Sequence, residues 1–551
     1  MLSVFLFALD QLIIATAIPK ITNQFHSLTQ ISWLANGFFL TMLSFNLIYA
    51  QLLTIFPSKH MILFAIAVFE LGSLVCGAAP NMVVLILGRS IAGMGGAGVF
   101  VSCVIVLTEI TTLKQRAMYM SLIGICFAVA SVLGPLVGGA FSDHVSWRWC
   151  FYINLPIGGI AFCLLFILLE TRHPYGRAET YRGYGYHMVN QIARCDWMGV
   201  AITLCWGVVF ILGPQWGGVT KPWNDGNVIA CFVMSVVLVV VFVAWEAYMA
   251  DHAMLPLKLF KYPTLRGASL VSFFEWGAFM IAVYYLSVGF QAAYNVSATA
   301  AGIRLLPMII VQVFTLILTG RLIAHFGRPY LIILLGPVFI ALGCGLLYSV
   351  TPADHISKLM GYEVFVGIGV GMFLQNTIMI TQYEFRDQPQ LMSAATGVVV
   401  FVGFTGRLFG ISVAGSVFEN MIQVNIHKYA PDLPRPLVIA VMNAADAVWK
   451  VVPPPDRPAV LHAYVDTLND VFLIGVPAGV LGFFVALFMP VLKMDFSQYG
   501  GNSKNGDVEK IAGAAVPSPS EAEARTSGPA TEGGRTSDEK KELEPEKDVK
   551  V

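Results

Sequence analysis

Residues 85–100 read LILGRSIAGMGGAGVF, and the fold turns on what the glycine run at 93–98 means. A glycine cluster cradles nucleotide phosphates when it follows a strand and opens a helix. Here it lies inside an apolar stretch and follows no strand, so close packing between helices is the reading that fits. The same stretch sets Arg89 among Leu, Ile and Ala. A charge at that depth costs several kcal/mol unless it meets a partner or faces a cavity.

The surrounding chain is of the same kind. Of its 551 residues, 57% are hydrophobic and 12% charged, against roughly 25% charged in a soluble domain. The apolar residues gather into runs long enough to cross roughly 30 Å of hydrocarbon, at about 2–18, 31–53, 61–79, 82–108, 118–141, 150–169, 197–213, 227–247, 267–290, 301–320, 330–350, 360–380, 394–418 and 470–492. Helices are the spanning element, because each must satisfy its own backbone polar groups. The alternation of an outer-membrane barrel is absent from the runs. The expected fold is therefore an all-α polytopic membrane protein with fourteen spans. The first run carries Asp10 at its middle and lacks a basic leader or a small-residue cleavage site, so it reads as a retained helix.

Zero formal net charge leaves no field to gather nucleic acid. The nine cysteines form no CxxC pair and lie mostly in apolar runs, where small buried residues are expected. No metal or other cofactor is expected: there is no GxxxxGK[ST] run for ATP, and the ten histidines form no HExxH or HxxxH arrangement in the spans. These absences argue against an enzyme, and a receptor would not need two matching halves.

Lys59, Lys114, Arg116, Arg172, Arg177, Arg182, Arg194, Lys258, Lys261, Arg266, Arg321, Arg328 and Arg386 fall in loops on one face, while the opposing short loops hold only Lys20, Arg148, Lys221 and Lys358. This bias places both termini in the cytoplasm. The spans divide as six, two and six: residues 1–170, 171–265 with two additional helices, and 266–493 with a long extracellular loop at 419–469. The polar stretch 494–551 reads as a disordered cytoplasmic tail. Asn295-Val-Ser297 is a glycosylation acceptor pattern on the outer side. Matching tight turns recur in the halves, YAQLLTIFPSKH at 49–60 and GRLIAHFGRPY at 320–330, which is the repeat logic of secondary transporters.

FALDQLIIATAIPKI (7–21), LILGRSIAGMGGAGVF (85–100) and SVLGPLVGGAFSDHVSWRWCFYINLPIG (131–158) resemble signatures of the major facilitator superfamily. QWGGVTKPWND (215–225) and YYLSVGFQAAYNVSATAAGIRLLP (284–307) resemble its fourteen-spanner drug:proton antiporter group, in the branch of fungal toxin and secondary-metabolite efflux pumps. The resemblance covers about residues 8–493. It departs at Thr54 and Pro57, where an aspartate and a glycine are usual, and at Arg407, in a helix that is mostly apolar in the family.

The resemblance implies two six-helix halves that rock around a central cavity, export of a small hydrophobic metabolite, mycotoxin or drug across the plasma membrane, and exchange for protons, carried out by a monomer. It brings Asp10 beside Arg89, a pair suited to proton coupling or to fixing helix packing. Gly134, Pro135, Gly138 and Gly139 form the antiporter motif, where a missing donor and four-residue glycine spacing give a bend and a close contact. Glu275, deep in its span, is a second proton or substrate candidate, and water in the cavity is the expected solvent for it. Glu70 lies in a span, Glu363 and Glu109 near span boundaries where solvation is the default, and Arg304 at a surface it can reach by snorkelling. Trp276, Tyr284, Tyr285, Phe290, Gln291, Phe373, Gln375 and Asn376 offer aromatic faces and neutral hydrogen-bonding groups suited to bulky apolar cargo. Uptake of a cargo such as an iron–siderophore complex is the rival direction.

Overall fold

The computed structural model describes residues 1–27, 30–110, 113–171, 192, 195–250, 253–386, 388–443 and 447–492. The arginines of the 172–194 loop and the polar tail from 495 lie outside the described residues.

The first half comprises α1 (Leu2–Phe25), α2 (Ile31–Ile55), α3 (Ser58–Ala78), α4 (Met82–Ile110), α5 (Leu113–His144), α6 (Trp149–Tyr152) and α7 (Asn154–Leu168). Two further helices follow, α8 (Trp197–Trp216) and α9 (Gly226–Met249). The last part comprises α10 (Pro263–Ala292), α11 (Ala298–Arg304), α12 (Leu306–Phe326), α13 (Pro329–Tyr348), α14 (Ile356–Phe373), α15 (Asn376–Glu384), α16 (Pro389–Tyr429), α17 (Arg435–Asn443), α18 (Ala447–Lys450), α19 (Arg457–Leu473) and α20 (Gly475–Leu487). Fourteen segments among the described residues are long and apolar enough to cross a membrane, some built from two successive helices.

Burial sorts the spans. In α1, 89% of the apolar stretch is buried within the protein, against 17% in α9. Valines 236 and 240 of α9 and Phe314 of α12 are largely exposed, as lipid-facing residues must be when the surrounding solvent is hydrocarbon. The central helices α1, α2 and α10 are those whose polar residues need protein partners.

The glycine run packs as expected. A Cβ on Gly93 would stand 2.2 Å from the Phe38 carbonyl oxygen of α2, and one on Gly95 would stand 2.3 Å from the Phe69 nitrogen of α3. These glycines let α4 wedge between α2 and α3, with backbones nearly in contact.

The two additional helices pair with each other, and α8 seats on α2 of the first half and α16 of the last. Leu40, Ile211 and Leu408 form one cluster there, and the Phe210 and Phe409 rings stack at 5.2 Å. The added pair thus covers a seam between the halves.

Three expectations need correction. The first span does not stop at residue 18: α1 continues through Pro19 to Phe25 and ends on His26 in the left-handed region. Neighbouring helices and membrane surroundings tolerate such a proline. The segment 419–469 is not one long loop, since α16 runs on to Tyr429 and α19 begins at Arg457. These extensions carry charges outward while their inner faces pack, Asn425 Nδ2 donating to Thr467 Oγ1 at 3.1 Å. Of the nine cysteines, five are buried, whereas Cys163 and Cys205 are exposed on outward helix faces. Among the described residues, none of the nine forms a disulfide.

Candidate functional site

Asp10 and Gln11 sit in the middle of α1, about 100° apart around its axis because a helix turns once in 3.6 residues. Asp10 faces into the first half. Its Oδ2 lies 2.6 Å from Arg89 Nη1 on α4, and both side chains are fully buried. Asn154, at the start of α7, donates to Asp10 Oδ1 at 3.0 Å and also lies 3.1 Å from Ser73 Oγ. The Arg89 guanidinium rests 4.2 Å above the Phe38 ring. Two charges at this depth persist because each neutralises the other and Asn154 occupies the second carboxylate oxygen. Arg89 Nε and Nη2 have no protein partner.

Gln11 faces the other way, across to the last six-helix part. Arg407 of α16 donates from Nη1 to Gln11 Oε1 at 3.0 Å, and its guanidinium stacks 3.5 Å from the centre of the Trp276 ring on α10. Phe404 and Phe39 flank it at 4.7 and 5.6 Å. Gln11, Arg407 and Trp276 line a cavity with Ala8, Phe127, Ser131, Phe279, Met280 and Gln312, drawn from both halves. Its volume is about 30 Å³, room for about two waters, so bulky cargo requires the halves to separate further.

The lining comes from the parts of α1 and α5 nearer the Met1 end. Towards the opposite end the halves meet directly. A Cβ on Gly139 would stand 2.6 Å from Thr299 Cα, and one on Gly302 would stand 2.3 Å from the Pro135 carbonyl oxygen. Gly134 and Gly138 press on α1 at Leu12 and Ile13, and Thr16 Oγ1 donates to the Pro135 carbonyl at 3.3 Å. Gln291 Nε2 donates to the Thr16 carbonyl at 3.2 Å. Asp143 accepts from the Ala298 and Thr299 backbone N–H groups at 3.2 and 2.7 Å, and Lys20 Nζ lies 3.4 Å from it. The chamber is sealed at this end.

The remaining candidates are dispersed. Tyr284 is buried within electrostatic range of Asp10, Arg89 and Arg407, and its hydroxyl has no protein partner. Tyr285 packs on Phe418 of α16 with ring centres 5.6 Å apart. Phe290 is fully buried, and Phe373 meets the Trp276 ring edge-on at 5.6 Å. Gln375 is exposed, whereas Asn376 is occupied by the Met372 carbonyl at 2.6 Å and Thr319 Oγ1 at 3.3 Å. Asn295 is exposed in the turn after α10, with φ of 50°.

Glu275 lies outside the cavity lining, fully buried, with its carboxylate against Gly482 of α20 and neither oxygen partnered within the protein. Water in the chamber is therefore not its surroundings. Glu363 is likewise fully buried rather than solvated at a boundary, with the Met308 backbone N–H beside its carboxylate. Glu70 packs on Gly158 of α7, and Glu109 accepts a short hydrogen bond from Ser58. Arg304 is partly buried, with Nη1 unpartnered. The Thr54 side chain lies outside the described residues, and Pro57 caps the start of α3.

Gln11, Asn154 and Gln312 were absent from the residues singled out in the sequence. The available signal was modest: each is an uncharged polar residue inside or beside an apolar run.

The profile of the Major Facilitator Superfamily matches residues 1–411. The "MFS-type efflux pump MFS1" of Arthroderma benhamiae is 37% identical over 473 residues, covering 86% of each chain. "Efflux pump aunC" of Aspergillus niger is 37% identical over 79% of this chain and 81% of its own length. "MFS-type transporter astH" of Aspergillus oryzae is 35% identical over 89% and 85%. Among solved structures, a bacterial homologue of the human lysosomal transporter Spinster, inward-facing and unoccupied, aligns with a TM-score of 0.59 at 15% identity, over 89% of this chain and 95% of that one.

Proposed function

Since the chain belongs to the Major Facilitator Superfamily, we propose that it exports a small, mainly apolar metabolite by alternating access and takes protons in exchange at Asp10. The observation that carries this reading is the chamber between the halves, sealed at one end, with Asp10 and Arg89 immediately behind the residue that lines it. Relatives named as efflux pumps, similar over most of their length, support the outward direction.

In this reading, separation of the halves admits cargo and exposes α1. A proton on Asp10 would neutralise the carboxylate and loosen its hold on Arg89, so protonation and the conformational balance are linked. An even number of spans and the basic loops on one face support both termini lying in the cytoplasm, and in this reading the membrane is the plasma membrane. The exposed Asn295 would then be an outer glycosylation site, and the unit would be a monomer.

The test is directional flux in proteoliposomes with an imposed pH gradient, using neutral, anionic and cationic lipophilic fluorescent probes. Export predicts that probe and protons move in opposite directions. Movement in the same direction, as a proton-coupled uptake carrier would give, overturns it.

A further inference from the structure

Arg407 is a buried cation without a counter-ion. It is 6% exposed, and no carboxylate among the described residues forms an ion pair with it. Asp10 is engaged with Arg89 on the far side of α1, and Glu275, one position before Trp276, points instead at Gly482. Among the described residues, Arg407 is thus the sole charged one lining the chamber, whose walls are otherwise apolar or neutral.

Its partners leave hydrogen-bonding capacity unused. Arg407 Nε and Gln11 Nε2 are buried donors with no partner in the protein, and Gln312 Oε1 is an acceptor in the same condition. All three residues are more than nine-tenths buried and border the same space. Stacking on Trp276 covers the face of the guanidinium but leaves its edge available, and that edge matches a carboxylate in a two-pronged hydrogen bond.

Building on the export reading, we propose that Arg407 and Gln11 form an anion-binding subsite, so that the cargo is an aromatic or largely apolar molecule bearing one ionised acidic group. Trp276, Phe127 and Phe279 receive the ring system, while the Arg407 edge and the free Gln11 amide hold the acid. An unpaired cation in an apolar chamber discriminates against cationic compounds by repulsion and against neutral ones by leaving the guanidinium unsatisfied.

The experiment measures equilibrium binding to the purified full-length protein at pH 7 without a gradient, following tryptophan fluorescence. The probes are 9-anthracenecarboxylate and its methyl ester, which share a ring system and differ in charge. The expected result is at least tenfold tighter binding of the carboxylate, a preference lost in Arg407→Met and partly kept in Arg407→Lys. Gln11→Glu sets an acid against the guanidinium and should weaken carboxylate binding at least tenfold even if Arg407→Met does not fold. Equal affinity for the two probes in the unaltered protein, or an undiminished carboxylate preference in Gln11→Glu, overturns the proposal. Because binding is read without flux, this outcome is separate from the transport direction: a carboxylate preference with inward flux keeps the subsite and removes the export reading.

Discussion

Asp10 and Gln11 are consecutive on α1 yet hold different arginines, Asp10 meeting Arg89 at 2.6 Å inside one half and Gln11 meeting Arg407 at 3.0 Å across the two. Two adjacent positions on one helix thereby connect a sealed ion pair to the lining of the chamber. Movement of α1 against α16 would break the second contact before it disturbs the first.

Neutralising Asp10 alone leaves the Arg89 charge buried without its partner. Asp10→Asn is expected to destabilise the protein by about 3–5 kcal/mol, read as a lowered midpoint of thermal unfolding in detergent. The double variant Asp10→Asn with Arg89→Met should recover much of that loss while remaining inactive in gradient-driven flux. Normal flux in the double variant would remove Asp10 as the proton carrier.

Gly139 has no room for a side chain, because the backbone of α11 stands where its Cβ would be. Gly139→Val should prevent closure of the end opposite Met1. We expect flux to fall to background with the protein still inserted. A cysteine introduced at Thr16 should react faster with a thiol reagent applied from that side.

Asp143 holds the first turn of α11 through two backbone N–H groups and pairs with Lys20. A carboxylate at a helix N-terminus contributes about 0.3–1 kcal/mol, and up to about 2 where it is partly buried. Asp143→Asn should therefore shift the balance towards the state open at this end, by roughly fivefold for 1 kcal/mol. Distance measurements between labels on α5 and α11 would report the shift, and an unchanged distribution would show that packing alone seals the gate.

Ile211 is fully buried between Leu40 of the first half and Leu408 of the last. Ile211→Ala removes that filling at about 2 kcal/mol or more. The expected signature is a lower unfolding midpoint with little change in probe affinity, since Ile211 is not among the residues that line the chamber. A large loss of affinity at unchanged stability would instead make α8 part of the binding machinery.

Several candidate positions are visible in the sequence because they violate their local surroundings. Arg89 and Asp10 are charges in apolar runs, and Arg407 breaks a glycine-rich one. Gln11 and Gln312 carry no such mark, because a neutral amide in a membrane helix is unremarkable until the group opposite it is known. Glu275 and Glu363 show the converse error: their depth in sequence says nothing about whether they face a chamber or a dry helix contact, and both are enclosed.

Hydropathy is a local property, and by itself it determined the membrane setting, the fourteen spans and the list of charges that need partners. Only the tertiary structure decided that Asp10 turns inward to Arg89 while Gln11 reaches Arg407, nearly four hundred residues away. It also decided that the segment 419–469 is largely helical. The reason is geometric: burial in lipid depends on the residue and its neighbours in the chain, whereas pairing depends on which helix faces are brought together.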